Sequence, residues 1–312
     1  MIDNGNLSTR IEKIPSWMPN NILLKLRILL IALSVSALFA CGNSEQETAN
    51  KNALERIQST GVVRVGYANE APYAYLDNTT GKVTGEAPEI LRVIMQRLGV
   101  TQVEAVLTEF GSLIPGLKAG RFDVIAAGMY ITPTRCREIS FSEPTYGIGE
   151  AFLVRAGNPL GLHSYKDIAN HPEARIGVVA GTVERAYARA TGISDTRIAV
   201  LPDNPSAVSA LQAGRIDVFA GTALTVQDLL TKMRGNELER ATPFSDPIIE
   251  GKKIRGYGAF GFRKEEQALR VAFNKHLKTF IGSVEHRSLV QPFGFTQAEL
   301  PGSVSAEKLC GR

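Results

Sequence analysis

The sequence is poor in the residue types from which metal sites and nucleophilic catalytic sites are built. Its 312 residues include four histidines, three cysteines and one tryptophan. They show no metal-ligand spacing and no Ser/His/Asp order, so we expect neither a metal nor another cofactor. The net charge is +4 and the basic residues are scattered, which argues against a nucleic-acid-binding face. The composition, 44% hydrophobic and 21% charged, indicates a globular protein with room for two domains.

Long hydrophobic runs are also missing, with one short exception near the N-terminus. Residues 28–40 form an apolar run of 13 residues, which is too short to anchor the chain across a bilayer. Lys25 and Arg27 precede this run, and that order is typical of a secretory signal. We therefore predict a signal peptide at residues 1–40. The exported protein would lie in a periplasm or on the outer face of the cytoplasmic membrane.

A cysteine follows the apolar run directly. Ala40 precedes Cys41, and Leu38 lies three residues before that cysteine. This pattern resembles the lipobox of bacterial lipoproteins, in which the cysteine becomes the acylated N-terminus. The resemblance implies that Cys41 carries a lipid anchor and that residues 41–53 form a polar tether to the membrane. Ordinary secretory cleavage near this point is the alternative.

Two further cysteines remain in the exported chain, Cys136 and Cys310. An oxidising compartment favours a disulfide between them. Two free buried thiols are the alternative interpretation.

From Leu54 onward, β-rich runs alternate with segments of helical periodicity. This alternation predicts an α/β fold with parallel-dominated sheets. Two segments, LKAGRFDVIA at 117–126 and LQAGRIDVFA at 211–220, agree at seven of ten positions. Each segment is predicted to contain the end of a helix, a glycine that terminates the helix, and a strand that begins with aspartate. We infer two lobes of like topology.

Two β-rich segments, 149–157 and 253–262, have the right positions to cross between the lobes. The predicted lobe 1 is residues 54–152 plus 256–312, and lobe 2 is residues 153–255. Two crossings make a hinge with a cleft between the lobes. Ligands collect at the carboxyl ends of parallel strands, so the residues that follow each strand are the candidates for a binding site.

The candidates can hold both charges of a small zwitterion. Arg135 offers a planar fork for a carboxylate, and Gly181 with Thr182 offers backbone N–H groups and a hydroxyl at a helix start. Aromatic faces attract a diffuse cation, and a carboxylate can neutralise it. The aromatic candidates are Tyr73, Phe110 and Tyr130, and the carboxylate candidate is Glu70.

The run GMYITPTRCREISFSEPTY at 128–146 resembles the signature of the family 3 solute-binding proteins of ABC importers. The resemblance extends from Leu54 to about Phe295. It implies a periplasmic-binding-protein-like fold, an expected monomer, and permease subunits as partners. In that family an arginine at the position of Arg135 binds the ligand carboxylate, and Gly181-Thr182 forms the second-lobe contact. An aspartate that usually takes the α-ammonium group is replaced here by Thr222, which argues against a plain α-amino acid.

The segments GYANEAPYAY, GEAPEI and GIGEAFLV are similar to the ectoine/hydroxyectoine-binding subgroup of this family. Ectoine is a cyclic amidinium carboxylate. The resemblance implies that Glu70 faces the amidinium and that Arg135 binds the carboxylate. It also implies an aromatic box, which falls on Tyr73, Phe110 and Tyr130. The alternative ligand is a polar amino acid of the glutamine or arginine type.

Two other classes of protein remain as alternatives. An enzyme on the same scaffold would need a general acid or base over the ligand, and Glu70, Glu109 and Glu150 are candidates by position. A sensor input domain would need a partner protein to pass on its signal. We expect a binding protein rather than an enzyme, because the four histidines lie away from the strand ends.

Overall fold

The computed structural model describes residues 52–233 and 235–311. The predicted signal peptide, Cys41 and most of the tether lie outside the described residues. The first helix, α1, is Ala53–Thr60, and Asn52 caps it by accepting a hydrogen bond from the Glu55 amide at 3.1 Å. The last two residues that we had assigned to the tether therefore belong to this helix and its cap.

Lobe 1 is built on a six-stranded sheet in the order β4-β1-β5-β15-β6, with β7 pairing the other part of β15. The strand β1 runs parallel to both β4 and β5, whereas β15 runs antiparallel to β5. A separate small hairpin, β2 with β3, precedes the second helix. These strands are β1 Val62–Tyr67, β2 Tyr75–Asp77, β3 Lys82–Thr84, β4 Gln102–Leu107, β5 Val124–Tyr130, β6 Ser140–Phe141, β7 Tyr146–Ile148 and β15 Gly256–Phe262.

Lobe 2 has a five-stranded sheet in the order β10-β9-β11-β8-β12. Strand β9 runs parallel to both β10 and β11, and β8 runs antiparallel to β11. This is the arrangement of lobe 1, so the two lobes share a topology as the sequence predicted. The remaining strands are β8 Glu150–Arg155, β9 Ile176–Val179, β10 Ile198–Leu201, β11 Val218–Thr222, β12 Leu238–Arg240, β13 Ile248–Ile249 and β14 Lys252–Lys253.

Helices cover the sheet faces, because each helix presents one apolar stripe to a sheet. In α9, the longest helix among the described residues, Leu269, Phe273, Leu277 and Phe280 are all buried and recur at helical spacing. The helices after α1 are α2 Glu86–Arg97, α3 Leu113–Lys118, α4 Pro133–Glu138, α5 Tyr165–Asn170, α6 Glu184–Ala190, α7 Asn204–Gln212, α8 Ala223–Lys232, α9 Gln267–Phe280, α10 Val284–Val290 and α11 Ala306–Leu309.

The two aspartates of the internal repeat make equivalent hydrogen bonds in the two lobes. The Asp123 amide donates to the Arg64 carbonyl at 2.8 Å, and its carboxylate accepts from the Arg64 amide at 3.0 Å. The Asp217 amide likewise donates to the Arg175 carbonyl at 2.8 Å, and its carboxylate accepts from the Arg175 amide at 2.8 Å. Each aspartate thus joins the start of its strand to the preceding parallel strand. The sequence repeat is a structural element, not a binding motif.

A disulfide joins the segment after β5 to the C-terminal tail. Cys136 in α4 is bonded to Cys310, which directly follows α11, and 174 residues separate them in sequence. The bond places the tail under the helix that carries Arg135.

Candidate ligand-binding site

A cavity of about 30 Å³ lies between the lobes, at the carboxyl ends of the strands. Glu70 follows β1, Tyr130 ends β5, Thr182 follows β9 and Thr222 ends β11. Residues of both lobes form the walls of this cavity, so its size depends on how far the lobes close. Seven of the eight residues that the sequence proposed for ligand binding line it, namely Glu70, Tyr73, Phe110, Tyr130, Arg135, Thr182 and Thr222.

Arg135 is held in a defined orientation by its local structure. It lies in the short helix α4, which begins with Thr132 as the N-cap and Pro133 in the first turn. The Arg135 guanidinium donates to the Tyr130 carbonyl at 2.8 Å and, across the cleft, to the Gly181 carbonyl at 2.9 Å. It also lies 5.4 Å from the centre of the Phe110 ring. Each end of the guanidinium therefore makes a hydrogen bond, one within lobe 1 and one to lobe 2.

Gly181, the eighth predicted residue, lies where the two lobes are in close contact. Its φ is +81°, and a Cβ there would lie 2.4 Å from the Gly111 Cα in the other lobe, so only glycine fits. The Thr182 amide and hydroxyl both donate to the Val179 carbonyl, at 3.3 and 2.8 Å. The Thr182 donors that we had assigned to an anion are thus engaged within lobe 2, and Gly181 offers its carbonyl to Arg135.

The three predicted aromatic side chains line the cavity, and two further rings support two of them. Tyr146 stacks on Tyr73 with ring centres 5.2 Å apart, and it meets Tyr130 edge-on at 6.2 Å. Phe295, near the C-terminus, packs against Tyr73 at 5.7 Å and Tyr146 at 5.2 Å. These contacts hold the rings of Tyr73 and Tyr130 in place. We had not identified either supporting residue, because their role depends on long-range packing.

Two glycines make space for these rings. A Cβ at Gly128 would lie 2.6 Å from the Tyr73 ring, and one at Gly256 would lie 1.9 Å from the Tyr130 ring. Neither position tolerates a larger residue without displacing a wall of the cavity.

The cavity is also acidic. Burial, and then the negative charge of Glu184, raise the pKa of the Glu70 carboxyl to about 7. Glu184 itself lines the cavity and is buried, and burial raises its pKa. Behind it, burial and the charge of Glu184 raise the pKa of Glu150. We had not proposed Glu184 for the site; it stands two residues after Thr182, where an acid in the first helical turn has an ordinary structural explanation.

The three carboxyls weighed as catalytic candidates do not share one surface. Glu109 is exposed and lines a neighbouring cavity of about 460 Å³, which shares Glu70 and Phe110 with the site. Glu150 is 3% exposed and begins strand β8. Within the described ranges, no group of three or more His, Cys, Asp or Glu residues is positioned to hold a metal ion.

Comparisons with known proteins show the family to which this chain belongs. The family model for bacterial extracellular solute-binding proteins, family 3, matches residues 63–296. A probable amino-acid ABC transporter periplasmic-binding protein of Sinorhizobium fredii is 39% identical over 262 residues, which are 83% of this chain and 84% of that protein. The histidine-binding periplasmic protein of Salmonella typhimurium is 27% identical over 218 residues, 68% of this chain and 80% of that one.

Among solved structures, the crystal structure of EhuB in complex with hydroxyectoine matches with a TM-score of 0.75 at 39% identity, covering 83% of this chain and 99% of that chain. This chain therefore belongs to the bacterial extracellular solute-binding proteins, family 3. Membership implies a small-molecule ligand and the permease subunits of an ABC importer as partners. In the part of the chain that the structure describes, no helix has the length and apolar character needed to cross a membrane.

Proposed function

We propose that this protein is the binding component of an ABC importer for ectoine or hydroxyectoine, and that it performs no chemistry on its ligand. The ligand would bind between the lobes, which close over it about the two crossing strands, and the closed form would dock on the permease. The proposal includes export by the signal peptide at residues 1–40 and membrane anchoring through a lipid on Cys41.

The arrangement of charges around the aromatic rings carries the proposal. In one cavity, Arg135 supplies a planar donor fork for a carboxylate, and Glu70 supplies a carboxylate for a cation. The ring faces of Tyr73 and Tyr130 together favour a delocalised cation over a compact ammonium group. A cyclic amidinium carboxylate matches each of these groups. EhuB, which resembles this chain at 39% identity, was crystallised with hydroxyectoine.

A polar amino acid is the second candidate, and one observation favours it. Two carboxyls, those of Glu70 and Glu184, line the cavity together with a single arginine, so an α-ammonium group or a cationic side chain has acceptors available. The Sinorhizobium fredii relative is also described as amino-acid binding.

Isothermal titration calorimetry of the purified exported chain distinguishes these candidates. The ligands are ectoine, hydroxyectoine, glycine betaine, L-glutamine and L-arginine. We expect saturable binding of the two ectoines and weaker or undetectable binding of the others. Binding of glutamine or arginine without binding of either ectoine would overturn the proposal in favour of the second candidate.

A further inference from the structure

The cavity contains a hydrogen bond that joins the two lobes directly. The Tyr73 hydroxyl in lobe 1 lies 2.7 Å from the Thr222 hydroxyl in lobe 2, and the two residues are 149 positions apart in sequence. Both side chains line the cavity, and they are 2% and 7% exposed. Such a contact exists only when the lobes are together, and it is shielded from water, where a hydrogen bond contributes most.

The hydrogen-bonding capacity of the Thr222 hydroxyl is fully used in this arrangement. A hydroxyl donates once and accepts twice. Thr222 is the N-cap of α8, so its oxygen accepts from the Thr225 amide at 3.0 Å, and it donates to the Thr225 hydroxyl at 3.0 Å. The one remaining lone pair takes the proton of Tyr73. Tyr73 is therefore the donor, and among the described residues Thr222 keeps no acceptor for a ligand.

We propose that the Tyr73–Thr222 pair is a clasp that determines ligand specificity, because it closes the cleft and removes the acceptor that a ligand ammonium would otherwise find at the end of β11. The proposal deepens the function proposed above and rests on it. The clasp does not weaken the binding of an amidinium ligand, because such a ligand does not need the Thr222 hydroxyl as an acceptor. Its charge is spread over a ring, which the aromatic faces and Glu70 bind. A primary ammonium at the end of β11 would find an acceptor there only by breaking the clasp, and with the clasp intact it would depend on Glu70 and Glu184 alone.

Removing the Tyr73 hydroxyl tests both effects of the clasp, the closure of the cleft and the loss of an acceptor for an ammonium group. The substitution Tyr73→Phe keeps the ring, abolishes the clasp and frees one lone pair on Thr222 toward the cavity. We expect ectoine to bind about fivefold more weakly, because one neutral hydrogen bond usually changes an affinity by about that factor. We expect L-glutamine to lose less affinity than ectoine, or to gain some, so that discrimination between the two ligands falls.

A double-mutant cycle with Thr222→Val tests whether the two hydroxyls act on each other. The valine also removes the helix cap, but that loss is common to the single and the double variant and cancels in the cycle. If the clasp operates, Tyr73→Phe has almost no further effect on ectoine binding in the Thr222→Val background. Independent, multiplicative losses in the two backgrounds would overturn the proposal.

Two control variants isolate the clasp. Thr222→Ser keeps both the hydroxyl and the cap, and it should bind ectoine within twofold of the wild type. Tyr75→Phe makes the same change at a second interlobe tyrosine, whose ring lies 4.8 Å from the Lys232 ammonium. Because that contact uses the ring face, it survives the substitution, and affinity and selectivity should stay unchanged.

Small-angle X-ray scattering gives a readout of closure that does not depend on the ligand's identity. We expect Tyr73→Phe to shift the scattering toward the open form relative to the wild type, and Tyr75→Phe not to do so. If the wild type binds neither ectoine nor hydroxyectoine, the proposed function fails while scattering still tests the clasp. If the wild type binds ectoine but Tyr73→Phe matches it in affinity, selectivity and scattering, the clasp fails and the function stands.

Discussion

Replacing Arg135 by alanine should abolish ligand binding while leaving the fold intact. In the structure, the two ends of the guanidinium make hydrogen bonds of 2.8 and 2.9 Å to carbonyl oxygens, one in each lobe. A ligand carboxylate would instead accept two parallel hydrogen bonds from this guanidinium. Each hydrogen bond to a charged partner contributes about 1.5–3 kcal/mol, so losing both should weaken binding by about a hundredfold to ten-thousandfold.

The same substitution should cost little stability. Arg135 is only partly buried, and the N-cap and proline that start α4 remain in place. The matched control is Arg137→Ala on the same short helix, because Arg137 is exposed and donates to the Thr134 hydroxyl at 3.2 Å. That variant should bind ectoine like the wild type. Arg135→Lys keeps the charge without the planar fork and should fall between the two.

Calorimetry measures the affinities, and thermal unfolding checks the fold of each variant. Affinity of Arg135→Ala within tenfold of the wild type would show that another group binds the carboxylate. An equal loss in Arg137→Ala would show that the helix as a whole, and not the guanidinium, sets the affinity.

Three further predictions follow from the buried acids and the disulfide. Because the pKa of Glu70 is raised to about 7, ectoine affinity should rise about tenfold from pH 6 to pH 8 as the carboxylate forms, and Glu70→Gln should abolish that dependence. Burial raises the pKa of Glu86 from 4.5 to about 7, which favours the folded state at low pH and loses that benefit as pH rises through 7. Glu86→Gln should therefore raise the free energy of unfolding by up to ~3 kcal/mol at pH 8, and by much less at pH 5, in urea titrations. Reducing the bond between Cys136 and Cys310, which spans 174 residues, should lower that free energy by up to about 5 kcal/mol; two free thiols in intact-mass analysis of the exported protein would refute the bond.

The fold could be predicted from the sequence because its signals are local. The run FDVIAAGMY has the apolar continuity of a strand buried on both faces, and β5 occupies Val124–Tyr130. The repeated helix-glycine-strand segments predicted two like lobes, and Asp123 and Asp217 make equivalent hydrogen bonds in them. The short strands β6 and β7 were missed, because runs of two and three residues carry no periodicity.

The site could be predicted only as a set of residues. Strand ends and motif positions predicted that Glu70, Tyr130 and Arg135 lie together, because parallel strands end at one edge of a sheet, and the structure places all three around one cavity. Their partners could not be inferred, since the bond from Arg135 to Gly181 depends on how the lobes close. The support that Phe295 gives to the aromatic wall comes from the far end of the chain.

A crystal structure of the exported protein grown with ectoine tests the central claim most directly. The account predicts that the ligand lies between the lobes, with its carboxylate on the Arg135 guanidinium and a ring nitrogen about 3 Å from the Glu70 carboxylate. It also predicts that the ring rests against Tyr73 and Tyr130. A ligand bound elsewhere, or one bound here with its carboxylate directed away from Arg135, would contradict it.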